Sequence, residues 1–424
     1  MKLEEYTNLG EQVYTEKLSN GLSVFVVPKP GFYKKFAFFA TDYGGVDRRF
    51  KISGNWIDTP SGVAHFLEHK LFETKDGNAL ELLSHNGASP NAYTSNDMTA
   101  YYFECGDKFR ENLEILLSFV SIPYFTPESV EKEQGIITQE IRMSEDDPDY
   151  NLYYGLIKSL YKHKPLRDSV AGTVESIEKI THDVLYDCHR IFYNPSNMAL
   201  CVVGDVDPAE ILETARKILP AESGEVPERD YGATESLLPE TFRVEKTMDV
   251  SLPIFNAGLK INSIDCGNEK LRREIIGSIA LDLLLGHSSP LYQRLYAKGQ
   301  INTDFGFSVD SAAKTAYIVF GGEARDPQFV FEQVQKEVAK IAKSGIDTKL
   351  LERIKKAAIG STIRAYNSFS AIASSIIEGH FHSFDSFSAI NILSAITAGD
   401  ISKFISENVV PARMAISIIN PTKP

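Results

Sequence analysis

Apolar positions near the start of the chain fall in two strand-length runs. Leu22 to Val27 is rich in valine and Lys35 to Ala40 is rich in phenylalanine, and both predict β-strands. A helix is expected over Gly62 to Glu73, where Val63, Phe66, Leu67 and Leu71 recur at helical spacing. A second helix is expected from Gly77 to Ser84, stopping before the helix terminator Asn86-Gly87. Ala92 to Cys105 reads as extended chain centred on Tyr101-Tyr102-Phe103. Two long helices follow over Phe109 to Val120 and Pro127 to Met143, and then a strand over Met198 to Val203 that halts at Gly204-Asp205.

Between Pro220 and Glu240 the periodicity disappears. Pro220, Gly224, Pro227, Gly232 and Pro239 stand among several acids, which is the composition of an interdomain linker. Beyond it the order recurs, with strands expected over Phe255 to Ile261 and Thr315 to Phe320 and helices over Arg273 to Leu285 and Pro327 to Ser344. Asn91-Ala92-Tyr93-Thr94 followed by Thr99-Ala100-Tyr101-Tyr102-Phe103 is matched by Asn302-Thr303-Asp304-Phe305 followed by Thr315-Ala316-Tyr317-Ile318-Val319-Phe320. Met414 to Ile419 answers the strand that begins at Met198. The pattern predicts an α+β fold made of two homologous sandwich-like halves. Their expected limits are 1–219 for the first half, 220–243 for the linker and 244–424 for the second half.

The chain has 424 residues, more than a single ordinary core organises. Its 44 basic and 57 acidic residues give a formal charge of −13, which repels phosphate backbones and argues against a nucleic-acid partner. Met1-Lys2-Leu3-Glu4-Glu5 lacks the basic-then-apolar pattern of a secretory leader, and no apolar run reaches membrane-spanning length. Cys105, Cys188, Cys201 and Cys266 are too widely spaced for a disulfide scaffold or a cysteine zinc knuckle. Cys201, inside Ala199-Leu200-Cys201-Val202-Val203, is expected in the core. A cytoplasmic protein with no membrane partner is therefore expected.

The chemistry concentrates in His65-Phe66-Leu67-Glu68-His69. On a helix, His65 and His69 stack on one face and their imidazoles can converge on one ion. Glu68 lies close to the same face, where a carboxylate can take a proton from water without occupying the metal. A third ligand must come from elsewhere. Glu133 and Glu140, seven residues apart on the helix after Pro127, face the same way. One can bind zinc while the other steadies the site from behind. Glu131 and Glu145 lie off that phase and read as solvated acids.

With these residues in view, the sequence resembles the pitrilysin/insulysin family of zinc peptidases, the inverzincins, which include the mitochondrial processing peptidases. The match is His65-Phe66-Leu67-Glu68-His69 continued by Lys70-Leu71-Phe72-Glu73, then Glu133 at the family's supporting acid and Glu140 at its third zinc ligand. Gly87 to Ser95 resembles the family's substrate-side segment, and the resemblance covers essentially the whole chain. It implies a zinc-dependent endopeptidase with one Zn2+ per chain, acting on short or unfolded peptides with Glu68 as general base. It also implies that extended substrate pairs along Ala88 to Thr94, with Asn91 at the substrate backbone and Ala92 leaving room for it. The family encloses substrate in a clam of four such halves, so this chain is expected to form half of one.

One stretch departs from the pattern. Where the family's second half supplies an arginine and a tyrosine seven residues apart, this chain has Tyr296 and Thr303, with Arg294 nearby but off register. The departure implies a heterodimer whose other subunit contributes the pair, with a homodimer as the alternative. Two rival functions remain open: a non-catalytic or regulatory structural subunit of a peptidase complex, and a maturation factor dedicated to one peptide precursor. Elsewhere, His287 in Gly286-His287-Ser288-Ser289-Pro290 has no adjacent acid, so the second half is expected to be silent. His380 and His382, two apart, do not face one point on a helix.

Overall fold

A computed structural model describes residues 1–7 and 9–422. The chain packs as two compact units, each with its own apolar core. The first comprises Met1–Ile141, Asp168–Tyr231 and Ile363–His382, and the second Arg142–Arg167, Gly232–Thr362 and Ser383–Pro424.

Among the described residues the first unit carries a seven-stranded sheet. Its strands run, in spatial order, Lys2–Tyr6, Glu11–Lys17, Ser23–Pro28, Met198–Gly204, Lys35–Thr41, Thr99–Cys105 and Ser89–Thr94. Strand Ser89–Thr94 is an edge, paired on one side only, to Thr99–Cys105. The apolar alternation fixes which side of the sheet faces which helices. Val24, Val26, Ala37, Phe39, Tyr101, Phe103, Leu200 and Val202 point into the main core. There they meet the helices Val63–Leu71, Phe109–Ser121, His182–Phe192 and Pro208–Ile218. Residues between them, such as Phe25, face the other way, where the ring of His380 on the helix Phe369–Phe381 lies 5.3 Å from Phe25. Cys201 is fully buried, as its apolar run predicts.

The second unit has a five-stranded sheet in the order Arg243–Met248, Ala415–Pro421, Ile254–Ile261, Thr315–Glu323 and Gly306–Ala312. The first pair is parallel and the rest antiparallel. The last five strands of the first unit's sheet have the same pairing directions in the same order. The internal repeat read from the sequence is thus a repeat of topology. One register differs from expectation. Asn302–Phe305 precede the edge strand of the second unit, which starts at Gly306, because Asn302 and Asp304 form a local turn, with the Asp304 N–H donating to Asn302 Oδ1 at 2.9 Å.

Several elements have weak sequence patterns and take their form from packing. Helix Pro148–Leu160 lies on the second unit's sheet, with the Tyr153 and Tyr317 hydroxyls 2.8 Å apart. Asp147 caps this helix by accepting from the Tyr150 N–H at 2.8 Å. The proline- and glycine-rich stretch after Pro220 holds a short strand, Glu228–Arg229, paired with Arg49–Ile52. Arg229 follows into a buried cluster, 3.0 Å from Asp42 and 3.1 Å from Asp47, and the Tyr231 hydroxyl donates to Asp47 at 2.8 Å. Ionic and hydrogen-bonded anchors of this kind leave no trace in hydrophobic periodicity. Among the described residues no helix is long and apolar enough to cross a membrane.

Candidate metal centre

The helix Val63–Leu71 has nine residues, too few to be stable alone. Tertiary packing holds it: Phe66 and Leu67 are fully buried, and Val63, Ala64 and Leu71 nearly so. Its start is fixed by Gly62, at φ +95°, where a Cβ would lie 2.7 Å from the Ala171 carbonyl oxygen. Anchoring the apolar face leaves His65, Glu68 and His69 on the partly open side. Lys70 points the other way; it is 1% exposed and paired with Glu73, which keeps its charge off the open face.

Helix Pro127–Asp146 buries Val130, Ile137 and Ile141 and so turns Glu133 and Glu140 toward the histidines. Glu140 Oε1 is 3.5 Å from His65 Nε2, and Glu140 Oε2 is 3.6 Å from His69 Nε2. The imidazole centroids are 4.6 Å apart. These separations are long for hydrogen bonds. They suit a tetrahedral ion, since ligand bonds of about 2.0–2.1 Å place neighbouring ligand atoms about 3.4 Å apart. His65, His69 and Glu140 are also the set of three ligand-type side chains found within reach of one ion among the described residues. Two imidazole nitrogens and a carboxylate are the donor set of a catalytic zinc with an open fourth position.

Glu133 stands behind this triad. Its Oε1 is 3.0 Å from Nδ1 of His69, so the ring donates there and presents the Nε2 lone pair toward Glu140. Burial pulls the His69 imidazole down, but the Glu133 hydrogen bond and the nearby Glu140 and Glu68 carboxylates raise it, and the net shift is upward. Glu140 is held below the ordinary carboxylate range, first by its contact with His65 and then by the charge of both imidazoles. The site is thus a nest of acids around two imidazoles, electrostatically suited to a dication. His65 differs from His69 in that its buried Nδ1 has no hydrogen-bond partner among the described residues.

Glu68 does not join the triad. Its Oε2 accepts from the Thr94 hydroxyl at 2.6 Å. Thr94 ends the edge strand Ser89–Thr94, so Pro90 and Ala92 share its face toward the histidine helix, while Asn91 and Tyr93 point to the other. The Asn91 side chain accepts from the N–H of Ala92 at 2.8 Å. Ala88 precedes the strand, is buried in the main core, and donates its N–H to Leu83. The sequence marks Thr94 only as a member of this segment, and no pattern in it sets that threonine apart.

The remaining histidines take ordinary roles. His189 is buried and bonded to the Val120 carbonyl at 2.8 Å. His382 pairs with Asp97 at 3.0 Å, and His287 is exposed. Glu131 and Glu145 are exposed, as their phase predicts.

Comparison with known proteins agrees with this geometry. The profile of Insulinase (Peptidase family M16) matches residues 53–174, and that of the Peptidase M16 inactive domain matches 179–358. The zinc protease YmfH of Bacillus subtilis (strain 168) is 39% identical over 98% of this chain and 98% of its own length. An M16-like peptidase from Alicyclobacillus acidocaldarius superposes with a TM-score of 0.94 at 32% identity, covering all of both chains. A protease from Helicobacter pylori shares the fold at 18% identity, with a TM-score of 0.84 over 97% of this chain and all of its own.

Proposed function

Because the chain belongs to the insulinase family of peptidases, M16, we propose that it is an endopeptidase for short or unfolded peptides with Glu68 as its general base. The observation that carries the reading is the Nε2 pair of His65 and His69 facing the two oxygens of Glu140, with Glu68 beside them and outside the triad. Zinc held by these three ligands supplies a Lewis acid that polarises a carbonyl oxygen and acidifies water.

The chain's own residues account for the rest. Glu68 takes the proton of the attacking water and returns it to the amine as the peptide bond breaks. Glu133 keeps His69 in one tautomer. The edge strand Ser89–Thr94 is paired with another strand on one side only, and an extended peptide can add on the other as a further strand. On that strand Ala92 gives the peptide room and Asn91 meets its backbone, while Ala88, buried in the main core just before the strand, supports the segment from within.

The full set of ligands and base favours a catalytic chain over a purely structural subunit. A general peptidase and a maturation factor for one precursor differ only in breadth, which digestion of varied peptides decides. The active form we propose is a heterodimer with a subunit of the same fold that brings an arginine and a tyrosine to the zinc. In support, Arg294 is tied to Glu337 at 2.6 Å, and Tyr296 and Thr303 stand where that pair is expected. A cytoplasmic setting goes with the reading, supported by four cysteines present as free thiols.

The test is Glu68→Gln. The variant is expected to keep its zinc and lose hydrolysis by about 100-fold or more; full activity would sink the reading. Native mass measurement of the active species, with and without a homologous subunit, tests the heterodimer. A homodimer that cleaves peptides at the rate of the mixed species removes the need for a partner.

A further inference from the structure

The hydrogen bond between Thr94 and Glu68 has chemical consequences beyond the triad. At 2.6 Å the Thr94 hydroxyl donates to Oε2 of Glu68. A hydroxyl has one proton to give, and here it goes to Oε2. The other oxygen, Oε1, is then the one presented to a water. A glutamate has three rotatable side-chain bonds, and on a partly open helix face it has many ways to point. One fixed oxygen removes most of that freedom.

Thr94 is well placed to act as a fixed point. It ends the edge strand and pairs with Thr99, which is fully buried and donates to the Tyr43 carbonyl at 2.8 Å. The turn that follows is closed by the Ser95 N–H donating to the Met98 carbonyl at 2.7 Å and by the Ser95 hydroxyl, which lies 3.0 Å from Asp97. A β-branched side chain on such a backbone has few rotamers to choose from. Base and anchor therefore sit on different elements, the helix Val63–Leu71 and the edge strand.

We propose that Thr94 is a positioning residue for the general base: it holds Oε2 of Glu68 so that Oε1 meets the water. A second consequence concerns substrate. Because Thr94 belongs to the strand on which peptide would add, a substrate that settles along that strand presses on the element that aims the base. Docking and base orientation then share one rigid hairpin.

This assignment rests on the general-base reading of Glu68, and the experiment separates the two. The zinc-loaded full chain, with whatever subunit its activity requires, is assayed on a fluorogenic peptide as wild type, Thr94→Val, Thr94→Ser and Glu68→Gln. Zinc content and thermal midpoint are measured in parallel. Thr94→Val keeps the shape and removes the proton donor. It is expected to lower kcat by about 10- to 100-fold, as misplacement of a reacting group does. KM is expected to stay within about twofold, with zinc content unchanged. Thr94→Ser restores the hydroxyl and is expected to recover most of kcat. An inactive Glu68→Gln beside a fully active Thr94→Val overturns the positioning role alone. A Thr94→Val loss that tracks lost zinc or lost stability, without rescue by serine, also overturns it. An active Glu68→Gln overturns the general-base reading and this assignment with it.

Discussion

His69 and Glu133 are joined at 3.0 Å through the ring nitrogen that points away from the ligand side. The helix that supplies the third ligand, Glu140, therefore also sets the tautomer of the second, and one rigid helix holds both acids seven residues apart.

Glu133→Gln should keep the fold and weaken zinc. Outer partners of metal-bound histidines are worth about 10- to 100-fold in affinity. Competition with a chelator, read as the zinc remaining bound, measures this. Zinc retention equal to wild type would show that His69 needs no charged partner.

Glu140→Gln acts on the metal itself. The amide keeps the shape but gives up the negative charge that balances the ion, so the purified variant is expected to carry much less zinc. Chelation of the wild-type chain should abolish hydrolysis, and added zinc should restore it. A Glu140→Gln variant with full zinc content would move the third ligand elsewhere.

Arg229→Ala should destabilise the first unit, because it strands the buried Asp47 carboxylate. The expected loss is about 3 kcal/mol near pH 8. Burial already pushes Asp47 up to about 7, with Arg229 opposing it, and the substitution raises it further. A raised acid contributes stability below its unfolded value and loses it as pH rises through the folded one. The defect should therefore shrink toward pH 5, where Asp47 is protonated. Denaturant midpoints at the two pH values check both the size and the trend.

His189 should make the protein acid-sensitive. Burial lowers its imidazole to about 4 from the ordinary 6.5. Between those values the unfolded chain binds a proton that the folded chain refuses. Its contribution is complete above 6.5 and falls as pH drops toward 4, by up to about 1.4 kcal/mol per pH unit. His189→Gln should flatten that part of the stability profile, measured by denaturation across pH. An unchanged slope would place the acid sensitivity in other groups.

The site was readable from residue types and helical spacing because both helices carry their own instructions. His65 and His69 are one turn apart, Glu133 and Glu140 two, and the buried faces Val63-Phe66-Leu67 and Val130-Ile137-Ile141 turn those groups outward. What spacing left open was which acid binds and which supports. That choice needed the distances, which set Glu140 against both Nε2 atoms and Glu133 against Nδ1. Thr94 was harder, since a threonine in an edge strand carries no distinctive periodicity.

Hydrophobic alternation and helical period by themselves determined the central strands, the two site helices and the order of the repeat, since each depends on which side chains leave water. Tertiary structure alone decided the membership of residues 142–167 and 363–382 in units other than those of their chain neighbours, and the anchoring of Arg229 between two aspartates. Those outcomes depend on residues far apart in the chain meeting in a low-dielectric interior, where a charge is tolerated only beside its partner. A local pattern contains no information about that partner's position.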